Sequence, residues 1–147
     1  MDVLRRNTDY ALRAIVKVAG RRKPEPLSTK DLADSENIPY QLACKLMQRL
    51  HKAGLVESIM GPGGGFLLAR PAGRINLLEV IEAIQGPVIL NRCLLGKNGC
   101  PLQKGCSINP ELAGLQEFVN GYLEKVTLDK LVNKGRRTGK DNGRRKK

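Results

Sequence analysis

Several things this sequence has little of narrow what it can be. Histidine occurs once, at His51. No imidazole cluster is available to a metal, and a single histidine on a basic helix with no evident nucleophile or carboxylate partner argues against an enzyme. Long apolar runs are missing: charges interrupt each one before it could span a bilayer. The first nine residues, Met1 to Asp9, lack the apolar core of a secretion signal. A cytoplasmic protein without a membrane partner is expected, and a reducing compartment disfavours a structural disulfide. Aromatics are two Phe, three Tyr and no Trp. Negative charge is scarce as well: 14 acidic residues face 26 Lys and Arg, a net charge of +12 over 147 residues. Such an excess points to a polyanion such as nucleic acid or an anionic membrane surface.

What the chain does have is a thiol-rich loop. Cys93, Cys100 and Cys106 are spaced Cys-x6-Cys-x5-Cys, with Gly96, Gly99, Pro101 and Gly105 between them. These residues favour turns, and glycine lets a backbone approach a metal centre closely. Three chemistries compete. Zinc sites usually show a Cys-x(2–4)-Cys knuckle or a nearby histidine, and this loop has neither. A disulfide framework would leave one of three cysteines unpaired. Iron–sulfur ligation tolerates longer spacings but needs a fourth ligand from elsewhere. Cys44 stands apart on a predicted helix, where a lone cysteine usually serves as small apolar filler.

Upstream, the pattern predicts a DNA-binding domain over residues 1–86. Thr8 is expected to cap a first helix ending near Gly20, with Asp9 in its first turn and Ala11, Leu12, Ile15, Val18 and Ala19 facing inward. Arg21-Arg-Lys-Pro-Glu-Pro26 is a charged connection. Ser28 and Asp31 have capping-box spacing and open a short helix. The turn Glu36-Asn-Ile-Pro39 leads to a second helix from Tyr40 to about Ala53, stopped by Gly54 in a left-handed cap. Leu42, Leu46, Met47 and Leu50 form its expected buried stripe. The pair reads as a helix-turn-helix whose second helix enters the major groove. Gln41, Lys45 and Gln48 are the candidate base contacts, Arg49 and Lys52 the candidate phosphate contacts, and Ser28 joins them at the head of the preceding helix. Leu55–Ile59 and Gly65–Leu68 read as two strands around the glycine-rich tip Met60–Gly64. Gly61, Pro62, Gly63 and Gly64 there allow close approach to DNA, or simply satisfy the turn. The fold class is therefore mostly α with a small β-hairpin wing: a winged helix-turn-helix followed by a long C-terminal dimerisation helix.

Asn76 and Glu79 repeat the capping-box spacing before a helix that Gly86-Pro87 stops. The cysteine loop occupies 87–109. Asn109 as cap and Pro110 at the first position start the long helix of the 110–133 region. Its apolar stripe of Leu112, Leu115, Val119, Tyr122, Leu123 and Val126 is buried most economically by a second copy, giving a homodimer, or folds back on its own domain. A last short helix is expected over 127–132. Residues 134–147 carry eight of the Lys and Arg and one Asp and are expected to be a disordered basic tail.

Four runs together carry a resemblance: Asn7-Thr-Asp-Tyr-Ala-Leu-Arg-Ala14, Leu46-Met-Gln-Arg-Leu-His-Lys-Ala-Gly-Leu-Val56, Gly61-Pro-Gly-Gly-Gly-Phe-Leu-Leu68 and Cys100-Pro-Leu-x3-Cys106. They are similar to the Rrf-two family of bacterial transcription regulators, over about residues 1–133. The family's better-known branches are an iron–sulfur-cluster regulator and a nitric-oxide-sensitive repressor. The resemblance implies a homodimeric winged helix crossed by long C-terminal helices. It also implies an iron–sulfur cluster, 4Fe–4S or 2Fe–2S, on Cys93, Cys100 and Cys106. In the first branch a histidine follows the third cysteine; here Ser107, Ile108 and Asn109 follow it. In the second branch an aspartate in the partner's first helix completes the ligand set, and the matching position is Asp9. A carboxylate is a harder, weaker ligand than a thiolate and suits a labile site. The family often has an arginine just before the wing glycines, where this chain has Met60.

The expected function is a dimeric repressor-type regulator that binds a double-stranded DNA operator. Its cluster would sense nitric oxide, redox state or iron and cluster supply. The alternative is a cluster-free thiol redox switch on the same DNA-binding protein.

Overall fold

The computed structural model describes residues 2–21, 25–96 and 99–144, the last six of them by backbone alone. Parts of the charged connection (22–24), the cysteine loop (97–98) and the basic tail (145–147) lie outside the described residues. In chain order the elements are α1 (Arg6–Ala19), α2 (Thr29–Glu36), α3 (Tyr40–Lys52), β1 (Val56–Ile59), β2 (Gly65–Leu68), α4 (Leu77–Gln85), α5 (Asn109–Lys125) and α6 (Leu128–Arg144), with short 3-10 turns at Ala72–Arg74 and Arg92–Leu94. The winged helix expected from the sequence is present.

Local chemistry explains most of the boundaries. The Ser28 hydroxyl accepts from the Asp31 N–H at 3.1 Å and opens α2. Asn37 closes that helix in the left-handed region at φ 53, a conformation its short polar side chain tolerates. Ile38 then turns inward with 4% exposure. Gly54, at φ +75, ends α3 as expected. The capping box of α4 is complete, with Asn76 accepting from Glu79 N–H and Glu79 accepting from Asn76 N–H, both at 3.0 Å. Two expected caps are overturned. Thr8 is the third residue of α1, fully buried, and its hydroxyl donates to Gln85 Oε1 at 2.7 Å; Arg5 is the cap position. Asn109 lies inside the first turn of α5, after Ile108 at the cap, and donates its amide to the Cys93 carbonyl at 3.2 Å. Each side chain satisfies a distant acceptor in place of its own helix end.

The strands pair antiparallel, Val56 with Leu68 through Ile59 with Gly65. A third strand-like segment was not foreseen: Leu27 exchanges both backbone hydrogen bonds with Phe66, at 3.0 and 2.9 Å. This bridge ties the wing to the start of α2. It also fixes Gly65, where a Cβ would stand 2.3 Å from the Leu27 carbonyl oxygen.

The main core gathers Ala11, Ala14 and Ile15 of α1, Leu32 of α2, Ala43, Leu46, Met47 and Leu50 of α3, and Val80 and Ile84 of α4. On α3 the buried stripe is rotated from the expected one: Ala43 joins Leu46, Met47 and Leu50 in it and Leu42 is half-buried. The other face of α4 builds a second cluster, in which Leu78 and Ile81 meet Val88 and, from α5, Val119 and Leu123. α4 is thus the wall shared by the main core and α5.

The chain breaks after α5 and returns. Leu77 donates to the Val126 carbonyl at 2.9 Å and Leu128 to the Ile75 carbonyl at 3.0 Å, so the elbow pairs with the segment before α4. Leu128 is fully buried in the main core. The Thr127 hydroxyl hydrogen-bonds Asp129 and holds its carboxyl below the usual carboxylate range. The stabilisation this gives is present above the ordinary value of 3.8 and is lost as pH falls through the lower folded value. From Leu128, α6 runs on as one helix to Arg144, where a short helix and then disorder were expected. Leu131 and Val132 line the groove against α1 together with Val16, and Arg136 donates to the Gly20 carbonyl at 3.3 Å. A cation there meets the negative end of the α1 dipole, which gives the start of the tail a reason to stay helical.

Replacing Leu128 with Ala is expected to cost about 2–5 kcal/mol of stability, the range for a buried Leu that leaves a cavity. Urea denaturation at one fixed protein concentration measures it. A loss below about 1 kcal/mol would contradict a core position for the elbow.

Candidate nucleic-acid interface and cysteine loop

α3 presents Gln41, Lys45, Gln48 and Lys52 as exposed residues, spaced by one or two turns along a single face. A cleft of about 230 Å3 opens beside that face, lined by Asn7, Leu42, Lys45, Leu46, Gln48, Arg49 and Lys52. Asn7, from the first turn of α1, was missed in the sequence because nothing local ties it to α3. Tyr40, 57% exposed, heads α3. A hydrogen bond with Cys44 one turn later raises its pKa above the ordinary 10.0. Ser28, half-buried, is committed to capping α2. Arg49, expected at phosphate, is exposed and donates one guanidinium N–H to the Ile84 carbonyl at 3.0 Å.

The wing tip is shaped by its backbone. Gly61 and Gly63 take φ +91 and +74, values that strain any residue with a Cβ. Gly64 donates to the Gly61 carbonyl at 3.0 Å, and a Cβ there would lie 2.2 Å from the Ile59 carbonyl oxygen. Gly64 is therefore required by the turn itself. Gly61, Pro62 and Gly63 are exposed, and Met60 is 88% exposed.

The last turn of α4 joins this surface to the loop. Gln85 Oε1 accepts from the Arg5 N–H at 3.1 Å and the Thr8 hydroxyl at 2.7 Å, while its amide donates to the Val3 carbonyl at 2.9 Å. One residue earlier lies the carbonyl that holds Arg49, and one residue later Gly86 turns at φ +80 into the loop. The loop is then held to α5. Gln116 accepts from the Leu90 N–H at 2.9 Å and donates to the Val88 carbonyl at 2.7 Å.

Cys93, in the 3-10 turn, and Cys100 and Cys106, in the turns that follow, are all free and half-buried. Close packing stacks the turns: a Cβ on Gly99 would lie 2.2 Å from the Arg92 carbonyl oxygen. The donor set, three free thiols on a tightly turned backbone, has the chemistry for iron–sulfur ligation. Among the described residues no three His, Cys, Asp or Glu side chains are gathered as a metal site within one chain. Asp9 points to solvent, in an exposed ion pair with Arg13 at 3.5 Å. Arg13 also stacks on Tyr10, with its guanidinium carbon 5.1 Å from the ring centre. An exposed pair of this kind contributes about 0–1 kcal/mol, so Asp9 is easily released to another partner. His51 is remote in role, with Nδ1 at 3.0 Å from the Val56 carbonyl oxygen.

The profile of the Rrf2 family, described as an iron-dependent transcriptional regulator, matches residues 4–134. The chain belongs to the Rrf2 family. The HTH-type transcriptional regulator IscR of Klebsiella pneumoniae is 38% identical over 124 residues, covering 84% of this chain and 76% of that protein. IscR of Xenorhabdus nematophila is 37% identical, covering 84% and 74%. Among solved structures, CymR, the global cysteine regulator of B. subtilis, aligns with TM-score 0.77 and 25% identity over 90% of this chain and 98% of its own. IscR of T. potens aligns with TM-score 0.70 and 21% identity over 89% and 86%. This Rrf2 protein is accordingly a DNA-binding transcription regulator and not an enzyme. Among its described residues no helix is long and apolar enough to cross a membrane.

Arg49→Ala, which strips the α4 end of its charged partner, is expected to lower stability by about 1–2 kcal/mol. Lys45→Ala, on the exposed face of the same helix, should stay within about 0.5 kcal/mol of wild type. Urea midpoints at one protein concentration decide between a structural and a DNA-facing Arg49. Equal midpoints for the two variants would return Arg49 to the DNA surface.

Proposed function

We propose that this Rrf2 protein works as a homodimer whose operator binding is governed by an iron–sulfur cluster held by Cys93, Cys100 and Cys106. The partner subunit's Asp9 is the fourth ligand. The observation that carries the reading is the cysteine loop: three free thiols lie on turns packed together by Gly99 and anchored at Cys93 by Asn109. Thirty-eight per cent identity to an IscR supports it. When bound, the cluster supplies a cross-link that nitric oxide, oxidants or iron shortage can remove.

The protein's own residues supply the rest. Leu115, Phe118 and Tyr122 fall on one face of α5 and are 50, 69 and 60% exposed, while Val119 and Leu123 on the adjacent face pack against α4 and Val88. An exposed apolar face of this kind suits a second copy of the helix. The loop enters from Gly86, directly after the turn that holds Arg49 of the reading helix and the N-terminal arm. A shift of the loop is thereby felt at α3 through hydrogen bonds already in place. Two reading helices in a dimer must match half-sites about 34–36 Å apart, so a modest shift changes binding without unfolding. Gln41, Lys45 and Gln48 are assigned to base edges and Lys52 to phosphate. The glycine-rich wing tip, at Gly61, Pro62, Gly63 and Gly64, approaches the backbone.

A cluster-free thiol switch is the second reading, resting on the same free, half-buried thiols. Iron analysis separates the two. Protein purified without oxygen should contain iron and acid-labile sulfide and should lose both on Cys93→Ala, Cys100→Ala or Cys106→Ala, but not on Cys44→Ala. Stoichiometric iron in the Cys100→Ala protein would overturn the assignment, and iron-free wild type would favour the thiol switch.

Ligation across the dimer has its own test. Asp9→Ala chains with intact cysteines are paired with wild-type Asp9 chains lacking the three cysteines. The single cysteine set then faces an intact Asp9 and should show the wild-type visible spectrum. A spectrum matching the Asp9→Ala homodimer would exclude ligation in trans.

A further inference from the structure

We propose that Met60 makes an apolar contact in the minor groove of the operator, so that the wing adds affinity and step preference without neutralising phosphate. This rests on the DNA-binding reading above. Met60 is 88% exposed, the most exposed large apolar side chain among the described residues, and Ile59 beside it is 41% exposed.

The two are displayed on a tip whose shape is fixed. Gly64 donates to the Gly61 carbonyl at 3.0 Å, and a Cβ at Gly64 would come within 2.8 Å of that oxygen. At the other end the Leu27–Phe66 bridge holds the hairpin to the body. Little ordering is therefore needed for the tip to meet a rigid partner.

Charge separates this tip from the rest of the surface. No charged residue occurs from Ser58 to Ala69, in a chain of net charge +12. Phosphate contacts by Lys or Arg release counterions and make binding salt-dependent, and the wing has nothing with which to do this. An unbranched thioether has what apolar minor-groove contacts use, namely adaptable shape and polarisable bulk. The steps that open most easily for such a side chain are pyrimidine–purine steps. The reading helix, with Lys45 and Lys52, carries the charge, and the wing carries an apolar finger.

The test uses full-length dimer and a duplex enriched by the wild-type protein from a random pool, with affinities measured between about 50 and 200 mM salt. Met60→Ala should bind that duplex about five- to tenfold more weakly, with the slope of log affinity against log salt unchanged. Met60→Leu should restore most of the affinity. Met60→Arg should steepen the slope by about 0.9, one further phosphate contact, and a pool reselected with it should shift to A·T runs under the wing. A Met60→Ala affinity within about twofold of wild type would overturn the inference, since single exposed apolar side chains are common on protein surfaces. A shallower slope for Met60→Ala would overturn it too. If wild type enriches no duplex, the DNA reading itself falls, and this one with it.

Discussion

The arrangement depends on the last turn of α4. Helix C-termini leave carbonyl groups without partners, and here the Ile84 carbonyl is filled by Arg49 of α3. Gln85, next to it, binds Val3, Arg5 and Thr8 of the N-terminal arm with both ends of its amide. Because Gly86 then starts the cysteine loop, three parts of the protein share one short stretch of backbone. The two faces of α4 reinforce this, one in the main core and the other against α5.

α5 and α6 have different roles despite being consecutive. α5 buries Val119 and Leu123 inward and leaves Leu115, Phe118 and Tyr122 exposed. α6 returns to the body through Leu128 and runs past the end of α1. The main core is thus closed by the segment that follows α5, so α5 cannot be cut away from the body at one point of the chain without losing Leu128 from that core.

Much of the fold was legible in the residues because its signals are local. Asn76 with Glu79 and Gly54 act within a few residues and do what their spacing predicts, and Ser28 with Asp31 forms the half of its box in which Ser28 accepts. The wing strands were equally clear from the glycine tip between two apolar runs. The misreadings share one cause. Thr8 and Asn109 both bond to acceptors far away in sequence, at Gln85 and Cys93, and a local pattern cannot show that competition. Leu27 drew no assignment because its partner strand lies 39 residues on, at Phe66. The start of the tail is helical for a similar reason, since the α1 end that receives Arg136 lies 116 residues earlier. The cysteine loop stood out by residue type and spacing, and the structure shows its three thiols free and half-buried on consecutive turns.

The most direct test of the account is operator affinity measured on one oxygen-free preparation before and after its iron is removed by chelation. A duplex enriched from a random pool by the same protein serves as the probe. The account predicts that affinity changes by about tenfold or more, 1.4 kcal/mol or above, while circular dichroism shows the winged helix still folded. Equal affinity in the two states, with iron loss verified, would contradict control of DNA binding through the cysteine loop.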